Sequence, residues 1–198
     1  MDGGVKDLQA EKKALRAKIL TARRELRDAY RQKASQRMID VFCALPDFKA
    51  PRSIMCYAPM DDEVQIHALI QRWLDLGCTI AMPRIVSKGE MEAVSLSSLD
   101  DLIAGTYGIR TPDPDKGQVL SPEDLDMIIV PGVAFDTRGE RLGMGAGFYD
   151  AYLAKAVHAK RIALAYSCQL VAAIPMEEHD MLVHKIITEQ GIYNCLLR

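Results

Sequence analysis

The stretch RLGMGAGFYDAYL, residues 141–153, sets glycines at alternate positions 143, 145 and 147 between an arginine and an aromatic pair that leads into an acid. Five of the chain's thirteen glycines, Gly132, Gly139, Gly143, Gly145 and Gly147, fall within sixteen residues. Glycine admits φ > 0 and lets another group approach the backbone N–H closely. A run of free N–H groups makes a concave anion site, and Arg141 adds a planar fork that can grip phosphate oxygens two at a time. The chemistry this suggests is a phosphate cradle; a flexible turn is the plainer reading. The spacing G-x-G-x-G matches neither GxxxxGK[ST] nor G-x-G-x-x-G. Asp150, just beyond, either complements a helix dipole or holds Mg2+ against the phosphates of a nucleotide.

Two further groups carry chemistry. Asp61, Asp62 and Glu63 close the run YAPMDDE. They read either as helix N-terminal capping or, for Glu63, as a carboxylate that accepts hydrogen bonds from an amide-rich heterocycle. Lys12, Arg16, Arg23 and Arg27 recur at spacings of four, seven and four, which makes a basic stripe on one helix. Such a stripe is either a solvated face or a Lys12–Arg16 pair able to close over a bound anion. His67, His158, His179 and His184 show no metal spacing, and there is no G-x-S-x-G or evident nucleophile–base pair.

The elements that must position these residues are legible in the apolar periodicity. Leu8, Leu15, Ile19, Ala22 and Leu26 form one face of an N-terminal helix. A second helix is expected over 35–44, before Pro46. From residue 50 the texture changes to short apolar runs alternating with helical ones: strands at 53–58, 78–83, 91–96, 126–131, 161–167 and a last one at 186–193, with helices at 64–77 and 148–157. This alternation implies βαβ units and a mostly parallel sheet covered on both faces. Segments 84–90 and 105–123 break the rhythm and are expected to be rim loops. The glycine stretch is expected to follow the 126–131 strand directly, where open α/β sheets bind ligands.

Bulk properties exclude several classes. At 198 residues the chain suits one domain with a helical N-terminal segment. Residues 1–37 hold eleven basic and five acidic residues, a balance of +6; with an overall charge of −2, the remainder carries −8. That balance speaks against bulk nucleic-acid or membrane-surface binding. No apolar run approaches the ~20 residues needed to span a bilayer, and MDGGVKDLQAEKK lacks a signal-peptide core. Five scattered cysteines without a C-x-x-C pair support neither a zinc site nor a disulfide framework and fit a reduced, cytoplasmic protein.

The run VPGVAFDTRGERLGMGAGFYDAYL, 130–153, resembles the signature of the 5-formyltetrahydrofolate cyclo-ligases, also called 5,10-methenyltetrahydrofolate synthetases, approximately PG-x-aFd-x-x-G-x-RLG-x-G-x-G-[YF]YD. EKKALRAKIL, YAPMDDEV, AMPRI, GIRTP and EEHDMLVHKIITEQG resemble further blocks of the family in the same order, so the likeness spans essentially the whole chain.

The resemblance implies an α/β, three-layer Rossmann-like fold of the NagB/RpiA/CoA-transferase type. It describes 1–198 as one cyclo-ligase domain, with basic helices in 1–46 packed on a core at 50–198. It implies ATP-dependent conversion of 5-formyltetrahydrofolate to 5,10-methenyltetrahydrofolate with Mg2+, through phosphorylation of the formyl oxygen. The alternative is a noncatalytic folate- or nucleotide-binding relative. The partners implied are small molecules, without nucleic acid, membrane or obligate protein partner. Carried over by position, Lys12, Arg16, Arg141, Leu142, Gly143, Met144, Gly145, Ala146, Gly147, Phe148 and Tyr149 would bind ATP. Ala58, Glu63 and the 144–148 segment would face the folate, with Phe148 stacked on the pterin, and Asp150 and Asp180 would hold the metal. Thr111 and His184 depart from the family pattern, which has an acid at each place. Uncharged Met144 and Ala146 leave more of the phosphate neutralisation to Arg141.

Overall fold

A computed structural model describes residues 3–49, 51–105, 108–113 and 115–195. The chain opens with three helices, α1 (Gly3–Arg24), α2 (Asp28–Ala44) and the single turn α3 (Pro46–Lys49). Then follow β1 (Ser53–Met55), α4 (His67–Asp75), β2 (Thr79–Ser87), β3 (Glu90–Leu96), β4 (Leu102–Ala104), β5 (Arg110–Pro112), β6 (Val119–Leu120) and β7 (Met127–Ile129). The last elements are β8 (Ala134–Phe135), β9 (Arg141–Leu142), α5 (Phe148–Leu153), β10 (Lys160–Leu164), β11 (Lys185–Ile187) and β12 (Ile192–Asn194).

Eight strands form one sheet in the order β12-β11-β10-β7-β1-β2-β3-β6. The five central strands run parallel, and antiparallel strands close both edges. Successive residues of a strand point to opposite faces, and both faces are buried. Ile54, Ile80, Ile129 and Ile162 face one apolar cluster, shared with Phe42, Leu69 and Trp73 from α2 and α4. Met55, Ala81, Ile128 and Ala163 face a second, shared with Tyr152, Leu153 and Ala156 from α5 and the turn beyond it. This two-sided burial makes the three-layer α/β architecture and explains why these strands read as continuous apolar runs. All five cysteines are free, and among the described residues no helix is long and apolar enough to cross a membrane.

Several local expectations are corrected. Residues 84–90 are the end of β2 and the tight turn of the β2–β3 hairpin, not a loop. Pro83 is tolerated there because β1 pairs with β2 only as far as Ala81, so the missing N–H breaks no ladder. The 105–123 segment contributes β5 and β6, strands of three and two residues, too short to show a period. The expected last strand divides into β11 and β12 around a turn in which the Thr188 hydroxyl accepts from the Gln190 and Gly191 amides. The helix expected over 148–157 stops at Leu153. Between β7 and the glycine stretch lies an unanticipated hairpin, β8–β9. Buried Asp136 fastens its turn by accepting from the Arg138 and Glu140 amides.

That hairpin matters for the site. The apolar side of α1, through Leu15, Ile19 and Leu20, packs on Val133, Ala134 and Leu142 at its base. The glycine loop leaves the hairpin from β9, so α1 and the loop are held against one another. The sheet order also places the site: β2 lies on one side of β1 and β7 on the other, so the loops after β1 and β7 diverge. A crevice at such a reversal, beyond the carboxyl ends of the strands, is the usual ligand position in open α/β sheets.

Candidate active site

The crevice is a cavity of about 360 Å3, within the range of small-molecule sites. Its lining brings together every residue expected at the site: Lys12 and Arg16 from α1, Ala58 and Glu63 from the loop after β1, the run Arg141 to Asp150, and Asp180.

The glycine loop forms one wall. Gly145 and Gly147 sit at φ +101° and +74°, conformations that L side chains resist, so the sequence pattern is a conformational requirement. Among the described residues, no amide from Gly143 to Gly147 donates to a protein acceptor. Residues 144–147 are exposed on the cavity wall, so these donors are open to an external acceptor. α5 begins at Phe148 and is only six residues long, so the donors this wall offers are the loop amides rather than the dipole of a long helix.

Cations surround this wall, and each is already engaged. The Arg141 side chain is almost wholly buried and donates from Nη2 to Asp150 Oδ1 at 2.6 Å and from Nη1 to the Pro131 carbonyl at 3.4 Å. Its Nε, also buried, has no partner. Its guanidinium lies 5.9 Å from the centroid of the Tyr149 ring. Arg16 Nε donates to the Gly143 carbonyl at 2.8 Å and so holds the start of the loop. Lys12 Nζ sits between Glu177 Oε2 at 2.7 Å and Asp180 Oδ2 at 2.5 Å. Burial works to lower the Lys12 pKa, but hydrogen bonds to Asp180 and Glu177 overcome it and hold the ammonium above its ordinary value.

The structure overturns the solvated-face reading of the basic stripe. Lys12 is 6% and Arg23 2% exposed, Arg16 is half-buried, and only Arg27, beyond the end of α1, lies in solvent. An ion pair holds each of the buried members in place.

The opposite wall is neutral and acidic. Glu63 Oε2 accepts from the Met60 amide at 3.0 Å. Burial raises the Glu63 pKa above the usual 4.5, against the Met60 amide and the Arg23 charge, which lower it. Tyr57, buried beside it, donates its hydroxyl to the Val64 carbonyl. Tyr149 also lines the cavity, and its buried hydroxyl has no partner. Burial, followed by the nearby Glu63 charge, pushes both phenols upward, so both are neutral at ordinary pH. Phe148 lies half-buried on the same surface and Met144 is exposed at the mouth.

The carboxylates suit a hard cation. Asp150 and Asp180 share the cavity, and the Met181 amide donates to Asp150 Oδ1 at 3.1 Å, linking the two segments. Glu177, His179 and Asp180 place one ligand atom each within 4.8 Å of one another. The carboxylate oxygens among these groups fit Mg2+, which prefers oxygen ligands, whereas His179 offers a nitrogen. Glu177 and His179 escaped the sequence reading because histidine spacing alone gave no metal pattern; the run E-x-H-D was the available signal. Gln9, Tyr57, Arg84 and Arg110 were missed as well. Thr111 lies on the cavity wall, its hydroxyl donating to the Pro83 carbonyl. His184 does not line the cavity: its Nδ1 accepts from the Arg161 amide, so that departure from the family pattern is structural.

Fold and site together define an open α/β protein in which a glycine loop, basic side chains from α1 and several carboxylates line one cavity at the carboxyl ends of the strands. Residues 8–189 match the model of the 5-formyltetrahydrofolate cyclo-ligase family, and the chain belongs to that family. The solved 5,10-methenyltetrahydrofolate synthetase of Aquifex aeolicus is similar, with a TM-score of 0.83, 32% identity and 94% of each chain covered. A 5-formyltetrahydrofolate cyclo-ligase of Mycolicibacterium smegmatis is 30% identical over 91% of this chain and 95% of its own. The mouse enzyme of the same name is 29% identical over 93% and 96% respectively.

Proposed function

We propose that this cavity performs the family's reaction, the ATP-dependent closure of 5-formyltetrahydrofolate to 5,10-methenyltetrahydrofolate with release of ADP and phosphate. In this reading the amides of Gly143 to Gly147 hold the triphosphate. Arg141, Arg16 and Lys12 supply its countercharge, and Leu142, Phe148 and Tyr149 complete the nucleotide wall. Ala58, Glu63 and the 144–148 backbone face the folate. The Glu63 carboxylate accepts from the ring's amide edge, and Phe148 stacks on the pterin. Asp150 and Asp180 would hold Mg2+, which would neutralise charge on the phosphate oxygens.

The chemistry matches what the cavity offers. Transfer of a phosphoryl group to the formyl oxygen needs alignment and charge neutralisation more than a protein nucleophile. N10 of the folate then attacks the activated carbon and gives up its proton, and the carbon–oxygen bond breaks as phosphate departs with the formyl oxygen. Among the described residues, no cysteine or serine lines the cavity. The Thr111 hydroxyl is occupied by Pro83, and the Lys12 ammonium is held protonated between two carboxylates. In this reading the phosphoryl group passes directly to the formyl oxygen.

The observation that carries the proposal is the row of unpaired amides from 143 to 147 on the same cavity as Glu63. The test is ADP release with and without 5-formyltetrahydrofolate, alongside the near-ultraviolet absorbance of the methenyl product. Folate-dependent ADP release matched by product formation is expected. Nucleotide binding without turnover would favour a noncatalytic relative.

A further inference from the structure

Among the described residues, one buried cation is left over when the cavity is accounted for. The Arg23 side chain is only 2% exposed although it belongs to a basic helix whose solvent face was open to it. Its Nε and Nη2 each donate to Asp62, at 3.0 Å to Oδ2 and Oδ1, in a two-pronged grip. Its Nη1 lies 3.6 Å from Glu63 Oε1. Arg23 does not line the main cavity. It lines a small pocket behind it, with Tyr57, Glu63 and Gln169, and Glu63 alone of the acids lines both.

We propose that Arg23 is a positioning residue for the folate: from behind the cavity it fixes the 62–63 segment and keeps Glu63 an anion aimed at the substrate ring. The inference rests on the reading that Glu63 contacts the folate.

The surroundings explain why such a residue is needed. Glu63 is flanked by Asp62 on its own segment, Tyr57 from the same loop after β1, and Tyr149 from α5, and its backbone carbonyl accepts from the Tyr166 hydroxyl. Asp62 repels its charge and the phenols are neutral. Burial favours the protonated acid, and the Met60 amide and Arg23 oppose it. A protonated Glu63 would present a donor to the donor edge of an aminopyrimidinone and lose one acceptor, and unpaired buried donors weigh heavily on recognition. Arg23 is suited to the task because its planar fork can hold Asp62 with two nitrogens and leave the third toward Glu63. A lysine offers one point charge and no fork.

The test compares Arg23→Met, Arg23→Lys and Glu63→Gln, with kcat/KM for 5-formyltetrahydrofolate measured across pH at saturating ATP and the KM for ATP measured separately. Charge-assisted hydrogen bonds of this kind correspond to roughly tenfold or more in affinity. Arg23→Met is expected to raise the folate KM about tenfold and to leave the ATP KM nearly unchanged. It should move the acidic limb of kcat/KM to higher pH, because the remaining influences on Glu63 then favour protonation more strongly. Arg23→Lys should shift both in the same direction by less, and it carries the test should the methionine variant fail to fold. Profiles of Arg23→Met or Arg23→Lys that superimpose on the wild type, or equal losses toward both substrates, overturn the proposal. If Glu63→Gln leaves the folate KM unchanged, the underlying placement of Glu63 fails instead.

Discussion

Replacing Arg141 tests whether one residue serves both the architecture and the chemistry. Its side chain is 2% exposed, and it meets Asp150, 19% exposed, at 2.6 Å. Removing one partner of a buried pair costs about 3–5 kcal/mol, because the other charge stays uncompensated. Asp150 keeps part of its hydration and the Met181 amide, so we expect about 2–3 kcal/mol for Arg141→Met. For a chain of this length that lowers the thermal midpoint by roughly 5–10 °C. Sequence alone, with Arg141 read as an open phosphate grip, suggests hardly any such loss. Asp150→Asn should cost as much or more, since it strands a guanidinium whose Nε already has no partner. In the double variant no buried charge is left alone, and a coupling of about 1–2 kcal/mol should return part of the stability. Turnover should behave differently, down at least about tenfold in each single variant and no better in the double, because the phosphates would lose a cation whichever partner is missing or displaced. Thermal melts and ADP release on the four proteins make the measurement. Strictly additive melting losses would show that the pair does not form in solution, and turnover regained in the double would show that it acts only as scaffold.

Gly145→Ala forces a side chain into φ +101° with its Cβ 3.3 Å from the Arg16 guanidinium; strain of about 1–3 kcal/mol in this exposed loop should weaken ATP binding about tenfold or more, by calorimetry, and move the melting point little, whereas wild-type affinity would release the loop from the site. Lys12→Met strands Glu177 and Asp180 and removes a countercharge, so the ATP KM should rise several-fold with the folate KM nearly constant; the reverse pattern would place Lys12 in the folate site. Far from the cavity, buried Asp47 accepts from both Lys160 and Lys185. Those bonds outweigh burial and hold its pKa below the ordinary value. Asp47→Asn should therefore cost about 1–2 kcal/mol near neutrality, limited by screening at half-exposed Lys160, and leave kinetics intact. The contribution is present above the unfolded pKa of about 3.9 and lost as pH falls through the lower folded value, so the gap to the wild type should close in acid; a gap that persists there would assign the loss to packing.

The sheet was legible wherever burial on both faces imposed continuous apolar runs, as at Met127–Ile129 and at 162–164. It was illegible where strands are held by pairing alone, as at Val119–Leu120, whose residues alternate with solvent. The glycine loop stood out because backbone conformation restricts residue type. The hairpin before it did not, since two-residue strands carry no periodicity. The α1 stripe shows the limit most clearly. Spacing placed Lys12, Arg16 and Arg23 on one face, but which face met the protein depended on Asp62, Glu177 and Asp180, some 39 to 168 positions away along the chain.

The central claim is that peptide N–H groups at 143–147 receive the triphosphate. Amide-resolved 15N NMR of the protein titrated with a nonhydrolysable ATP analogue and Mg2+ addresses it directly. The account predicts downfield shifts and slowed hydrogen exchange at the amides of Gly143 to Gly147, with the Arg141 Nε signal moving in parallel. Saturable nucleotide binding that perturbs other regions and leaves these five amides unchanged would contradict it.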